Sequence, residues 1–317
     1  MIREDDLRNA LVTGGTDGIG KEIARGLARS GCRVVIVGRN HEKGERAAAE
    51  LRRTSGNPNV EFLQADLSLV SEAKRVTHEI NARWNRLKYL IHSAGIVSGR
   101  RVLTAEGIQS NFAVNYLSRF VLTQGLLPCL KRGGGRGEAS RILIINGAAR
   151  NGKIFFDDVS LSSSFGLVRM VGQSCRANDV FAREQARRLA VSSETSVTIN
   201  CLKMGVVKTN IRNSPDFPWW MKLLVPAVMD PLLGLTPEQA ATPALELLLS
   251  EEYETVTGKL FLMIRKFKQI EPKNCAKDRV TGRRLWDLSE QMSGGISDMP
   301  GNAALRVNEL ELKGDTK

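Results

Sequence analysis

The alternation of short apolar runs with amphipathic stretches constrains the fold of this chain more than any other feature of its sequence. Stretches such as K-E-I-A-R-G-L-A-R-S carry apolar residues at helical spacing. Between them lie runs rich in Val, Ile and Leu, at residues 9–13, 33–38, 60–65, 87–92, 141–146 and 196–202. Continuous apolar strands alternating with helices are typical of a parallel sheet with helices on both faces. The sequence therefore predicts a doubly wound α/β fold whose six strands all precede residue 205.

The last third of the chain is predicted to complete this domain rather than to form a second one. It shows no further strand pattern, so we assign residues 1–292 to a single domain. Residues 211–237 contain five prolines, which break any long helix, and they carry Trp219 and Trp220. Such a segment suits a lid over an apolar pocket for a lipophilic small molecule, although an ordinary packed helical excursion explains it equally well. Residues 293–317 are polar and Gly-rich, and we expect a loose tail.

Cysteine usage, hydropathy and charge indicate which partners are expected. The five cysteines form no C-x-x-C pair, which disfavours a metal site and a disulfide framework and favours a reducing compartment. Neither a secretory signal nor an apolar run of about 20 residues is found. We therefore predict a cytoplasmic protein without a membrane-spanning segment, with peripheral membrane contact and a homodimer left open. The net charge of +12 is unevenly spread, with a basic excess at 259–284, but no nucleic-acid-binding motif accompanies it, so we predict no nucleic-acid partner.

A glycine-rich loop, T-G-G-T-D-G-I-G, joins the first predicted strand to the first predicted helix. In such a loop Gly14 permits a tight turn, Gly18 lets the backbone approach a pyrophosphate, and Gly20 allows the helix to pack closely on the sheet. Its place inside a strand–helix–strand unit makes it strong evidence for a dinucleotide site. The predicted cofactor residues in this loop are Gly14, Thr16, Gly18, Ile19 and Gly20.

The residue after the second strand indicates which nucleotide is bound. A site selective for NAD usually has an acidic residue there, which holds the ribose 2′-hydroxyl. Arg39 occupies this position and is followed by Asn40. Its guanidinium matches a 2′-phosphate, so we predict NADP(H), although an ordinary surface arginine is the alternative. Asp66 and Leu67, after the third strand, fit an adenine contact, but Asp66 could also merely cap the next helix.

Taken together, these motifs resemble the short-chain dehydrogenase/reductase superfamily and, within it, the retinol-dehydrogenase-like branch. The resemblance covers residues 7 to 292. It is carried by T-G-x-x-x-G-I-G, A-D-L at 65–67, F-A-V-N-Y-L-S at 112–118, N-G-K-I-F-F-D-D at 151–158, G-Q-S-C-R-A-N at 172–178, G-V-V-K-T at 205–209, T-G-K-L-F at 257–261 and R-R-L-W-D-L-S-E at 283–290. The resemblance implies a Rossmann-type fold and a nicotinamide cofactor that also contacts Ala94, Gly95 and Thr209.

The resemblance also implies a catalytic group of Asn, Ser, Tyr and Lys, of which this chain retains only Asn115. Gly147, Val171 and Cys175 occupy the positions of the family's serine, tyrosine and lysine. No tyrosine lies between residues 117 and 252, so shifting the alignment does not restore the group. In the family the tyrosine passes a proton to the carbonyl oxygen as hydride moves, and the lysine lowers the tyrosine pKa. We therefore expect ordinary dehydrogenase activity to be lost.

Few side chains are available to replace this catalytic group. His92, at the end of the fourth strand, could titrate near neutrality, although a structural histidine is the simpler interpretation. Cys175 could be an activated thiol beside Arg176, or a small buried side chain. Three hypotheses remain. The favoured one is a biosynthetic catalyst of isomerisation, cyclisation or unorthodox reduction; the alternatives are a non-catalytic NADP-binding regulator or scaffold and, last, a nucleic-acid-binding protein.

Overall fold

The computed structural model describes residues 8–135, 138–149, 152–192, 195–213, 217, 219–224, 227, 230–271 and 275–294. Over these residues the chain forms a doubly wound α/β fold, which confirms the predicted fold class. Most of the predicted tail, from residue 295 onward, lies outside the described residues, and so do the side chains of Trp219 and Trp220 in the predicted lid.

An eight-stranded sheet forms the centre of the described structure. Its strands are β1 (Asn9–Thr13), β2 (Arg33–Gly38), β3 (Val60–Gln64), β4 (Tyr89–His92), β5 (Ser140–Gly147), β6 (Val197–Met204), β7 (Leu260–Met263) and β8 (Phe267–Ile270). Their order across the sheet is β3-β2-β1-β4-β5-β6-β7-β8, and every neighbouring pair is parallel except β7 and β8. Side chains of the central strands, such as Leu11 and Ile144, are fully buried because helices cover both faces.

The prediction that every strand precedes residue 205 is wrong. Beyond that residue β7 pairs in parallel with β6, and β8 turns back antiparallel to form the edge of the sheet. Both strands have only four residues, and β8 exposes Lys268 and Gln269. Short strands with polar side chains are a common way to protect a sheet edge, and they leave too little apolar pattern to be recognised in the sequence.

Helices pack on both faces of the sheet. The α-helices among the described residues are α1 (Gly18–Arg29), α2 (His41–Ser55), α3 (Val70–Arg83), α4 (Ser110–Phe112), α5 (Ser118–Gly133), α6 (Leu167–Val191), α7 (Trp219–Leu224), α8 (Asp230–Leu233), α9 (Pro237–Leu249) and α10 (Cys275–Met292). Residues of α1, α2 and α9 pack on one face of the sheet. Residues of α3, α5, α6 and α10 pack on the other face. Among the described residues, no helix is long and apolar enough to cross a bilayer.

The strand order places a crevice at the centre of the sheet. The chain leaves β1 toward β2 and β3 on one side, and it returns to β4 and β5 on the other. Connections therefore diverge between β1 and β4, and in open parallel sheets this point, at the carboxyl ends of the strands, is where ligands bind. Thr13 of β1 and His92 of β4 are paired in register at this edge.

Candidate cofactor-binding and active site

The glycine loop is in direct backbone contact with the residues that follow β4. Gly14 has a φ of +68°, and a Cβ there would lie 2.7 Å from the backbone nitrogen of Ala94. A Cβ at Gly20 would lie 2.4 Å from the Gly14 carbonyl oxygen. Thr13 fixes the same contact, since its Oγ1 accepts hydrogen bonds of 3.2 Å from the backbone N–H groups of Ser93 and Ala94. The first turn of α1 therefore offers its N–H groups to an anion at the carboxyl ends of β1 and β4.

Other predicted cofactor residues surround this loop. Thr16 packs on Gly38 at the end of β2, where a Cβ would lie 2.7 Å from Thr16 Cγ2. A Cβ at Gly18 would lie 3.0 Å from Thr209 Cγ2, so the segment after β6 closes the opposite side. Arg39 is exposed, and no described residue pairs with its guanidinium. We call the loop and these two segments the cofactor cradle; their close packing leaves little or no room for a Cβ at Gly14, Gly18 or Gly20.

The remaining predicted cofactor residues include some with structural partners. Asn40 caps α2, with its Oδ1 accepting the Lys43 backbone N–H at 2.8 Å. Asp66 Oδ1 accepts the Ser68 backbone N–H at 3.0 Å, which stabilises the turn before α3. Leu67 is buried in the core against α3. Ile19 and Gly95 remain partly or fully exposed beside the loop.

Asn115 lies in a π-helical turn, Ala113–Leu117, between α4 and α5. Its Nδ2 donates to the Ile96 carbonyl oxygen and its Oδ1 accepts the Ile96 N–H, both at 2.8 Å. Its own backbone carbonyl accepts a hydrogen bond of 2.8 Å from Asn178 Nδ2 on α6. Asn115 therefore positions the segment after β4, and both polar atoms of its side chain are engaged in doing so.

The positions predicted for the family's serine, tyrosine and lysine lie where β5 meets α6. Gly147 is exposed at the end of β5, Val171 is partly exposed on α6, and Cys175 is 4% exposed. A Cβ at Gly147 would lie only 3.0 Å from Cys175 Sγ. Burial raises the pKa of the Cys175 thiol, and the nearby Lys203 ammonium only partly opposes this. Cys175 is therefore a protonated, packed thiol rather than an activated nucleophile.

A buried ion pair lies next to these positions. Lys203 Nζ on β6 is 2.5 Å from Asp179 Oδ2 on α6, and the two side chains are 2% and 9% exposed. Asn146 Nδ2 donates to Asp179 Oδ1 at 3.1 Å and to the Cys175 carbonyl oxygen at 2.9 Å. Burial raises the pKa of Asp179, and Lys203 opposes that rise. Neither residue was assigned a role from the sequence. The feature that could have pointed to them was a lysine in an apolar strand and an aspartate on the buried face of a helix.

His92 is fully buried and makes a structural contact. Its Nε2 is 2.9 Å from Thr123 Oγ1 on α5, and its Nδ1 has no partner among the described residues. Burial, and secondly the charge of Arg119, hold the pKa of His92 well below its usual value of 6.5. The imidazole is therefore neutral at pH 7, so the structure does not support a proton-handling role near neutrality.

Arg119, on α5, was missed by sequence analysis. It is 5% exposed, and its guanidinium donates to the carbonyl oxygens of Ile145 and Ala94, both at 2.8 Å. Burial lowers its pKa to about 10, so it remains a cation. Arg119 joins the end of β5 to the segment after β4. Its signal in the sequence was a charged residue inside an otherwise apolar helix.

No group of His, Cys, Asp and Glu in the described part of the chain is arranged to hold a metal ion.

Comparison with known proteins identifies the family. The short chain dehydrogenase family model matches residues 8–216. The chain belongs to the short chain dehydrogenase family. Human retinol dehydrogenase 14 is 32% identical over 301 residues, covering 90% of this chain and 86% of that protein. Human dehydrogenase/reductase SDR family member 13 is 34% identical over 292 residues, covering 90% and 73%. Human polyprenol dehydrogenase is 29% identical over 288 residues, covering 90% and 85%.

Solved structures agree with this membership. A structure of an uncharacterised protein from Mycobacterium paratuberculosis matches with a TM-score of 0.71 and 23% identity, covering 92% of this chain and 95% of that one. The Pseudomonas aeruginosa RhlG/NADP active-site complex matches with a TM-score of 0.63 and 25% identity, covering 81% and 94%. The solved structures agree with the fold, while the family model and the retinol dehydrogenase relatives confirm the family resemblance. The replacement of the family's catalytic residues stays a prediction.

The buried His92 predicts a loss of stability in acid. Its pKa is lower in the folded protein than in the unfolded chain, where it is about 6.5. Between these two values the unfolded state binds the extra proton, so the free energy of unfolding falls as pH decreases, by up to about 1.4 kcal/mol per pH unit. We expect His92→Asn to flatten the urea-unfolding profile below pH 6.5. The matched change at exposed His78 should retain the parent slope, and an identical slope in His92→Asn would contradict the assignment.

The short distance between a Cβ built at Gly147 and Cys175 Sγ predicts that a serine at position 147 is unfavourable unless Cys175 is changed as well. Because the added Cβ would press on Cys175 Sγ, Gly147→Ser should lower the free energy of unfolding by about 1–3 kcal/mol. Cys175→Ala in the same chain should recover most of that loss, as measured by urea denaturation in a double-mutant cycle. Gly166→Ser is the control, since a Cβ there meets nothing within 4 Å. Additive effects of the two changes would show that the positions are not coupled.

Proposed function

We propose that this protein binds NADP(H) and a lipophilic ligand without tyrosine-dependent hydride transfer. The observation that carries the proposal is the location of the chain's three tyrosines. Tyr89 begins β4 and is therefore at the sheet edge opposite His92. Tyr116 is fully buried, with its hydroxyl 2.7 Å from Ser289 Oγ on α10. Tyr253 follows α9 and packs on Phe261 and Phe267. A bound nicotinamide would supply the chemistry of hydride transfer, but none of the three tyrosines stands at the cofactor edge to exchange a proton.

Several features support the nucleotide part of the proposal. The family binds nicotinamide cofactors, and the glycine cradle of this chain is complete. Arg39 stands exposed after β2, where a guanidinium suits a 2′-phosphate. Among the similar solved structures, RhlG is in complex with NADP, whereas a Brucella melitensis 3-ketoacyl reductase is complexed with NADH. The preference for NADP(H) therefore rests mainly on Arg39.

The lipophilic ligand is supported by relatives and by the segment after β6. The names of human retinol dehydrogenase 14 and polyprenol dehydrogenase give them lipophilic substrates. In the predicted lid of this chain, Leu223, Leu224 and Leu232 are 66%, 45% and 67% exposed. Exposed leucines grouped in one segment favour contact with an apolar ligand or surface. The predicted homodimer and cytoplasmic location stay predictions.

The geometry favours a non-catalytic, ligand-binding role over catalysis. Each side chain predicted to handle protons is either buried or already bonded inside the protein: Asn115 to Ile96, His92 to Thr123, and Cys175 beneath Gly147. A non-redox catalyst is the second candidate, because a pocket that orients a reactant can promote isomerisation or cyclisation without an acid or base. Thr209, which lies two residues before the predicted lid, packs close to Gly18 of the glycine loop, so a ligand under the lid would lie near the cofactor.

Absence of the tyrosine predicts negligible redox turnover by a protein that nevertheless binds NADPH. Retinoids, steroids and simple aliphatic alcohols or aldehydes should give no change in absorbance at 340 nm, since general acid–base catalysis alone contributes about 10²–10⁴-fold. Analysis of the recovered ligand by mass spectrometry and chromatography separates the two candidates. Unchanged ligand supports the binding role, and a rearranged isomer supports the catalyst. Robust turnover that Asn115→Ala abolishes would contradict the proposal.

If residues 211–237 form a lid, binding of an apolar ligand should change the tryptophan fluorescence. A buried aromatic side chain contributes 150–250 Å² of contact area, so either Trp219 or Trp220 should dominate binding if it faces the ligand. Titration with a lipophilic polycyclic or terpenoid ligand should shift the emission, and Trp219→Ala or Trp220→Ala should weaken ligand binding without changing NADPH affinity. Trp84 is buried away from this segment, so Trp84→Phe is the emission control. If no apolar ligand binds, the lipophilic part of the proposal fails.

A further inference from the structure

An aliphatic surface continues from the glycine loop along the carboxyl ends of the neighbouring strands. β4, β5 and β6 are parallel neighbours, so they end at the same edge of the sheet. The segment after β4 begins at Ser93, whose Oγ lies 3.1 Å from a Cβ built at Gly20 and therefore lies against the loop. Beyond it we define the aliphatic surface by partly exposed side chains that have no hydrogen-bonding group: Ile96, Val97, Ala148, Ala149, Val206 and, on α6, Val171.

Val171 brings this surface next to the end of β5. It precedes Cys175 by four residues, so the two side chains lie on one face of α6. Cys175 Sγ in turn lies 3.0 Å from a Cβ built at Gly147. Because α6 connects β5 to the parallel strand β6, it runs antiparallel to both, and Val171 is one turn closer to the carboxyl edge than Cys175. A ligand that reaches Gly147 from that edge therefore meets Val171 as well.

Polar groups beside the aliphatic surface are already bonded inside the protein. The Ile96 N–H and carbonyl oxygen both bond the Asn115 side chain at 2.8 Å. The Gly147 N–H donates to Asn146 Oδ1 at 3.0 Å. The Ser174 hydroxyl on α6 is enclosed by the protein. None of these N–H and hydroxyl groups is both exposed and free to donate to a ligand.

The segment after β6 is bonded in the same way. The Gly205 N–H donates to the Met263 carbonyl oxygen at 2.9 Å, and the Val206 carbonyl oxygen accepts the Leu235 N–H at 3.0 Å. A hydroxyl or carbonyl group pressed against the aliphatic surface would lose its hydrogen bonds to water without gaining one from the groups named above, which is costly. A hydrocarbon group has no such loss, and removal of its apolar area from water favours binding.

We propose that the part of the ligand that lies against Gly147 and Val171 is hydrocarbon. The site then takes a lipophile by its apolar end and leaves any hydroxyl group at the mouth. This inference rests on the proposed binding of a lipophilic ligand, and it names the class of ligand. A dehydrogenase substrate has to present its alcohol or carbonyl carbon to the nicotinamide, whereas this chain would present a hydrocarbon end to the same place.

The test is displacement of Nile red from the full chain, in the presence of NADPH, by three matched isoprenoid probes. Farnesene has no hydroxyl group, farnesol has one at one end, and ω-hydroxyfarnesol has one at each end. We expect farnesene and farnesol to bind with similar affinity, because farnesol keeps its hydroxyl at the mouth. ω-Hydroxyfarnesol should bind about tenfold more weakly, since it must bury one hydroxyl unpaired against the aliphatic surface.

Val171→Thr is the variant that tests the placement, because threonine has nearly the shape of valine and adds a hydroxyl. A threonine hydroxyl that donates to the carbonyl one turn back in the helix still accepts a hydrogen bond from the probe. We expect this variant to recover most of the affinity lost by ω-hydroxyfarnesol and to leave the other two affinities unchanged. Val168→Thr is the matched control, since Val168 lies on the same helix and is 86% exposed. It should match the parent with all three probes.

Each other outcome has a definite meaning. Equal affinities for farnesol and ω-hydroxyfarnesol in the parent, or much weaker binding of farnesene than of farnesol, would show a polar partner for the ligand and overturn the inference while leaving lipophile binding intact. A weakly bound ω-hydroxyfarnesol that Val171→Thr does not rescue would overturn the placement against Val171. If neither Nile red nor any of the three probes binds, the lipophilic part of the proposed function fails, and this inference fails with it. Circular dichroism of both variants verifies that the fold is retained.

Discussion

The backbone contact between Gly14 and Ala94 is the constraint on which the candidate site depends. It occurs where β1 and β4 lie side by side although the chain continues from them in opposite directions, which opens the crevice at the centre of the sheet. Neither segment can move away, because Thr13 hydrogen-bonds Ala94 and Arg119 ties the Ala94 carbonyl to that of Ile145. The cofactor cradle and the end of β5, where Gly147 stands, are therefore held in one rigid arrangement.

Buried charge restricts which side chains fit at position 175, where we predict the family's lysine to be replaced. Lys203 and Asp179 form a desolvated pair, and Arg119 adds a second buried cation. Asp179 lies one helical turn after Cys175, so a lysine at position 175 would bring a further cation toward the carboxylate that already pairs with Lys203. Removing one partner of a buried pair costs about 3–5 kcal/mol, and adding an unbalanced charge is similarly unfavourable. A lysine at position 175 would therefore compete with Lys203 for Asp179, and a Cβ at position 147 would lie 3.0 Å from Cys175 Sγ.

Much of the fold and the tight turn of the glycine loop were predictable from the sequence, because both depend on local rules. Buried parallel strands are continuous apolar runs, and a turn with positive φ at Gly14 selects glycine. The edge strands β7 and β8 were not predictable, since four residues give too little pattern. Lys203 and Asp179 are 24 residues apart, and only the packing of α6 on β6 brings them together. His92 was open to two interpretations, which its complete burial beside Arg119 distinguishes.

The proposed function, a cofactor cradle without the family's proton donor, has a consequence for the lifetime of a bound complex. In a working dehydrogenase, proton transfer accompanies hydride transfer and the altered products leave. A ligand carbonyl directed at positions 147 and 171 would meet no side-chain hydroxyl or ammonium at those positions, which are glycine and valine, and Lys203 and Arg119 are engaged in internal contacts. Binding of the ligand would then not be followed by chemical turnover, and the complex would persist until one partner dissociates. Affinity, rather than a chemical barrier, would set the lifetime of the complex. Such behaviour suits a protein whose output is its ligand-bound state.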